Sequence, residues 1–155
     1  LLGIAYIDKA LLFVASRDVT NHDLETAAAS SQAALTIGTG DAYDHAIVAL
    51  LHSSRGDFLR ADALFRRALQ LEPGNPSTLT SMAIHYRNQS RFRDAILACD
   101  EAIRNYPDYV DAWIERGALL ASGGSNVGAH TSFARAAELA PEHPAPHAAL
   151  AALAA

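Results

Sequence analysis

The chain has 155 residues, half of them hydrophobic and 19% charged, which is enough apolar material for one packed domain and too much for a disordered tail. Twelve basic against 17 acidic side chains give a net charge of -5, the wrong sign for a protein whose main partner is a phosphate backbone. The single cysteine, Cys99, can close no disulfide within the chain, and the apolar opening LLGIAYIDKALLFVAS is broken by Asp8 and Lys9 before it could span a membrane.

Taken in chain order, apolar spacing predicts helices over 8–19, 23–36, 43–54, 58–71, 76–88, 92–105, 110–122, 126–139 and a last one from about 145. Leu79, Met82, Ala83 and Tyr86 illustrate the pattern, falling at i, i+3, i+4 and i+7 on one helix face. Gly56, Ser90 and Gly124 tolerate unusual backbone angles where the first helix of each pair ends. Pro73, Pro107 and Pro141 stop the second helix of each pair.

These prolines are spaced by 34 residues, as are Ala61, Ala95 and Ala129, and again Ala68, Ala102 and Ala136. Ala27 and Ala34 extend the two alanine columns backwards, with Thr39 where the proline would stand. The chain therefore divides into a degenerate unit at 8–41, three regular units at 42–75, 76–109 and 110–143, and a partial helix over 144–155, all in one helical-repeat domain. The apolar tail from Pro146 reads as the first helix of a further pair, with Leu150 and Ala151 in packing columns. The natural protein is thus expected to continue past Ala155, and exposed terminal helices would favour self-association.

The register resembles the tetratricopeptide repeat family, whose pattern is W-x2-L-G-x2-Y, then A-x3-F, then P. Trp113, Gly117, Ala129, Phe133 and Pro141 carry the resemblance in the last regular unit, which departs from it at Arg116, Leu120 and Asn126. Leu79, Met82, Ala83, Tyr86, Ala95, Ala102 and Pro107 carry it in the middle unit, and Val48, Ala49, Ala61, Phe65, Ala68 and Pro73 in the first. The resemblance implies an all-α, right-handed superhelical stack of antiparallel helix pairs, with the first helix of each pair lining a concave groove. It also implies a scaffold that holds a protein or peptide and is not itself an enzyme. Two alternatives are a substrate-recruiting segment of a larger transferase or hydroxylase, and a small bacterial chaperone or assembly factor.

Residues that could carry chemistry have structural readings. His45 and His52 stand in the columns of Trp113 and Leu120, so packing rather than metal ligation is expected, and Pro144 and Pro146 disrupt the spacing between His143 and His147. The run Gly123 to Gly128 lacks the Lys and Ser or Thr of a phosphate loop and falls at an inter-helix turn. Cys99 shares a column with Phe65 and Phe133, which points to burial. No cofactor, metal or nucleic acid is expected, and Arg60, Arg66, Arg67, Arg91 and Arg93 read as a solvated convex face. Arg116 occupies an apolar column and should need an acidic neighbour such as Glu101, Asp111 or Glu115. The expected setting is cytoplasmic, and eleven arginines against one lysine point to a GC-rich, bacterial genome.

Helical geometry assigns the face opposite the packing columns to the groove. That face carries Tyr43, Ile47, Leu50 and Ser54 in one helix, Thr80, Ile84, Arg87 and Asn88 in the next, and Asp111, Ile114, Glu115 and Ala118 in the third. Ile47, Leu50, Ile84 and Ile114 would form an exposed apolar stripe suited to an amphipathic helix or an extended apolar segment. On that reading, replacing Ile84 and Arg87 would weaken binding without affecting the fold. One subtype of the family grips the terminal carboxylate of chaperone tails with lysine, asparagine and arginine; the one lysine here is Lys9, so acidic tails are not the expected ligand.

Overall fold

The structure, a computed structural model, describes residues 21–154; the helix expected over 8–19 lies outside them. Eight helices follow one another among the described residues: α1 (Asn21–Thr36), α2 (Ala42–Ser54), α3 (Phe58–Leu71), α4 (Pro76–Asn88), α5 (Phe92–Asn105), α6 (Val110–Ser122), α7 (Asn126–Leu139) and α8 (Pro144–Ala154). The helices from α3 to α7 have the bounds expected from the sequence, and α1, α2 and α8 begin slightly earlier than expected.

Local chemistry sets these bounds. Asp41 and Asp44 form a capping box at the start of α2, each carboxylate accepting from the other's backbone N–H. Asn75 caps α4 by accepting from the Thr78 N–H at 2.9 Å, with Pro76 in the first turn, where its missing N–H has no helical partner to lose. The turn inside each pair requires a left-handed residue: φ is 80° at Gly56, 60° at Ser90 and 80° at Gly124. The glycine-rich run from Gly123 is such a turn, ending α6 and leading into α7.

Helices pack as sequential pairs, α2 with α3, α4 with α5 and α6 with α7, while α1 lies on α2 and α8 on α7. Small side chains permit this closeness. Ala61, Ala68, Ala95, Ala102, Ala129 and Ala136 on the second helices are fully buried, as are Ala49 and Ala83 on the first. At the corresponding position of the third pair, a Cβ on Gly117 would lie 2.7 Å from the Phe133 ring, closer than packed carbon atoms approach. Phe65 and Phe133 fill the space between their paired helices, and Cys99 takes the same column in the middle pair. The first helices also meet one another, α2 against α4 and α4 against α6.

A hydrogen bond repeats with the same period. The Trp113 Nε1–H donates to the Pro107 carbonyl at 2.8 Å, and 34 residues later His147 Nε2 lies 2.8 Å from the Pro141 carbonyl. By this measure α8 begins as α6 does. No helix among the described residues is long and apolar enough to cross a membrane.

Among the described residues Ser90 is the non-glycine residue held at positive φ, where both other pairs have glycine. Ser90→Gly is expected to raise stability by about 1 kcal/mol, part of the left-handed penalty for an L side chain, and Gly124→Ala to lower it by a similar amount. Urea denaturation of the two variants checks both signs.

Candidate partner-binding groove

The residues expected to line the groove separate into two sets. Ile47, Leu50, Ile84 and Ile114 are 1%, 2%, 2% and 6% exposed, so they do not form the exposed apolar stripe that helical projection suggested. Ile47, Leu50 and Ile84 join one apolar cluster with Ala28, Ala46 and Phe65, while Ile114 packs with Phe133 and with Leu150 of α8. For Ile47, Leu50 and Ile84 the cause is the contact between successive first helices, which buries the flanks that face a neighbouring pair. Thr80 is buried as well, its hydroxyl donating to the Pro76 carbonyl at 2.8 Å.

Apart from Ala118, the accessible set is polar. Asn88 and Ser54 are exposed, and Tyr43, Arg87, Asp111 and Ala118 are partly exposed. None of Tyr43, Arg87 and Asp111 is without a partner. Glu115 is only 3% exposed and sits 2.7 Å from the Arg87 guanidinium, tying α6 to α4. Burial raises the Glu115 pKa above the usual carboxylate value, and the charge and hydrogen bonding of Arg87 oppose that rise.

Arg116 does find a carboxylate, but not one of the three expected. Its Nε donates to Asp100 at 2.6 Å and its Nη1 to Ser132 at 2.9 Å. Asp100 follows Cys99 on α5, beside the packing column that Arg116 enters. Glu115, one residue away on α6 and so rotated by roughly 100°, faces α4 instead.

A second polar cluster centres on His85, a residue not singled out from the sequence. His85 is fully buried; its Nδ1 lies 2.9 Å from Ser53 Oγ and its Nε2 2.9 Å from Asp62 Oδ1. Gln89 Nε2 stands 2.7 Å from the same His85 Nε2, and which ring nitrogen donates follows the tautomer: a proton on Nε2 serves the Asp62 carboxylate and leaves Nδ1 to accept from the Ser53 hydroxyl. Asn88 Nδ2 donates to the same Ser53 oxygen at 3.1 Å. Phe58, Phe65 and Tyr86 surround the imidazole at centroid distances of 5.8, 5.3 and 5.7 Å. The order serine, histidine, aspartate resembles a hydrolytic triad, but Ser53 is 2% exposed and leaves no room for a substrate carbonyl. Its action is structural, joining α2 and α3 to α4. The available signal was a histidine in the column of Leu51 and Leu119.

Other candidates fall to packing. Burial, reinforced by Glu115 and Asp100, pushes the Cys99 thiol far up, away from a reactive thiolate. His45 Nδ1 bonds the Asp41 carbonyl at 2.7 Å, and His52 lies 3.5 Å from Asp57. Among the described residues no group of three or more His, Cys, Asp or Glu could hold a metal ion. Arg60, Arg66, Arg67, Arg91 and Arg93 are exposed on the second helices or their starts; Arg91 pairs with Asp94 at 2.8 Å and lies over the Tyr86 ring. Since His85 fills a closed aromatic and polar site, His85→Ala is expected to cost about 3 kcal/mol through the cavity and the lost hydrogen bonds. Exposed His130→Ala should change stability by under about 0.5 kcal/mol in the same chemical-denaturation assay.

No family model matches the chain. A mouse protein, protein O-mannosyl-transferase TMTC1, is 27% identical over 103 residues, 62% of this chain; the chain spans 11% of that protein's length. Among solved structures, the first repeat domain of Spaghetti (RPAP3), bound to the HSP90 peptide SRMEEVD, superposes with a TM-score of 0.65 at 21% identity, covering 74% of this chain and 90% of that one. PilF of Pseudomonas aeruginosa gives 0.69 at 22% identity over 97% of this chain and 67% of its own. The Sgt2 repeat domain of Aspergillus fumigatus gives 0.66 at 20% identity over 73% and 76%. Together with the 34-residue register and the sequential helix pairs, these likenesses show that the chain has the tetratricopeptide-repeat fold.

Proposed function

We propose that this chain is a protein-interaction scaffold that holds a peptide or protein segment along the side lined by α2, α4 and α6. The observation that carries the reading is the sorting of the groove residues: the apolar ones are buried, while Tyr43, Asn88, Arg87 and Asp111 stay accessible on three successive first helices. Side chains of this kind hold an extended segment through its backbone and its charges, so the partner is gripped by hydrogen bonds rather than by an apolar ridge. Two of the structural relatives are repeat domains solved with chaperone-tail peptides, SRMEEVD of HSP90 and SGPTIEEVD of HSP70. In this chain Arg87 is matched by Glu115, and Asp111 adds a second acidic group on α6. That balance supports a partner other than an acidic tail.

A second reading, a recruiting segment within a larger enzyme, is favoured by the likeness to a named transferase of which the chain spans only a small part. The length and composition of the parent gene product distinguish the two.

Selection of a displayed random-peptide library on the wild-type chain supplies ligands for the test. Tyr43→Ala and Asp111→Asn should each weaken the selected peptides by about 1 to 3 kcal/mol while leaving the melting midpoint near the wild-type value. Peptides that bind both variants as tightly as wild type would place the site elsewhere. Ile84→Glu serves as the contrast, since at 2% exposure it should unfold or strongly destabilise the chain rather than act on binding alone.

A further inference from the structure

Glu115 is a carboxylate withdrawn from water at the boundary between two repeats. It projects from α6, belongs to the third regular unit, and meets Arg87 of the second unit at 2.7 Å. Arg87 is 21% exposed, so one member of the pair reaches solvent and the other does not. Charged or titratable groups also stand on α5 and on α6 itself. On α5 stand the buried Cys99 thiol and Asp100, the latter engaged with Arg116; on α6 itself stand Asp111 one turn back and Arg116 one residue on. Asp100 and Arg116 match each other in charge, which leaves Arg87 as the cation that balances Glu115.

We propose that the Arg87–Glu115 pair is a proton-operated latch between the second and third helix pairs, closed when Glu115 is ionised and open when it is protonated. A protonated Glu115 can still accept a hydrogen bond but no longer holds the guanidinium by charge, so α4 and α6 lose their ionic tie on the groove side. Both helices line the groove, so their relative placement sets its width.

Burial makes the folded chain hold this proton more tightly than the unfolded chain does. Above its titration the ionised carboxylate therefore lowers stability, and that loss is recovered as the pH falls through the folded pKa towards the unfolded one. The latch thus opens without a stability penalty at this site, which separates it from general acid unfolding.

Carbon-detected NMR of the Glu115 side-chain carboxyl, followed with the backbone amide and guanidinium signals of Arg87, tests the proposal on the whole chain. The expected result is one shared titration with a midpoint above 4.5, completed while the far-ultraviolet helical signal is unchanged. Arg87→Gln should move the Glu115 midpoint further up, because the cation that lowers it is gone. Glu115→Gln should show, at neutral pH, the Arg87 and α6 amide positions that wild type reaches only in acid, and these should no longer titrate. A midpoint at or below 4.5, Arg87 signals that ignore the carboxyl, or an unmoved midpoint in Arg87→Gln would each overturn the latch. Should either variant fail to fold, the wild-type titration alone decides.

Discussion

The close approach of paired helices is the constraint on which the rest of this structure depends. Two helices come within packing distance over their whole length only where the facing residues are small, and here those residues are the buried alanines at 61 and 68, 95 and 102, 129 and 136, met by Ala49, Ala83 and Gly117. The aromatic that follows four residues after the first alanine, Phe65 or Phe133, then fits over the partner helix rather than beside it. Once pairs have this compact cross-section, their first helices are brought against one another, and the isoleucines and leucine on those flanks are buried by the neighbouring pair. Loss of one small residue would therefore be felt both within its pair and at the next boundary.

Boundaries between pairs are joined by different means. Between the first and second regular units, His85 reaches Ser53 and Asp62; between the second and third, Arg87 meets Glu115 and Arg116 meets Asp100. His85 and Arg116 place a polar group where the other units have an apolar one, and each of these contacts joins groups from different helices. Burying such a group alone would cost several kcal/mol, so the pairs act as a specification: each boundary is satisfied by one neighbour in one register. That argues for a fixed order of units rather than interchangeable ones. On the first helices it commits Ile47, Leu50, Ile84 and Ile114 to stacking and leaves mainly polar side chains accessible.

Much of this was legible in the sequence because the signals recur. Proline at 73, 107 and 141 and the left-handed position at 56, 90 and 124 fix where helices stop, and they reproduce the bounds of five helices without any tertiary information. The groove was less legible. A helical wheel divides a helix into a packed and a free face, which assumes one neighbour, whereas α4 touches its own second helix, α5, and also α2, α3 and α6. Ile84 lies on a flank that only the stack covers, so projection assigned it to the surface. Arg116 announced that it needed a carboxylate, but three nearby acids were as good on sequence spacing as Asp100, and only the orientation of α5 chooses among them. His85 announced less, since its partners lie 32 and 23 residues earlier in the chain.

The central claim, that small residues in the pair interfaces set the stack, is tested most directly by the unfolding free energy of Ala95→Leu compared with Ala63→Leu. Ala95 is fully buried on α5, and Ala63 is exposed on α3. The account predicts a loss of about 1 to 3 kcal/mol or more for the buried substitution and a change within about 0.5 kcal/mol for the exposed one. Equal tolerance of leucine at the two positions would contradict it.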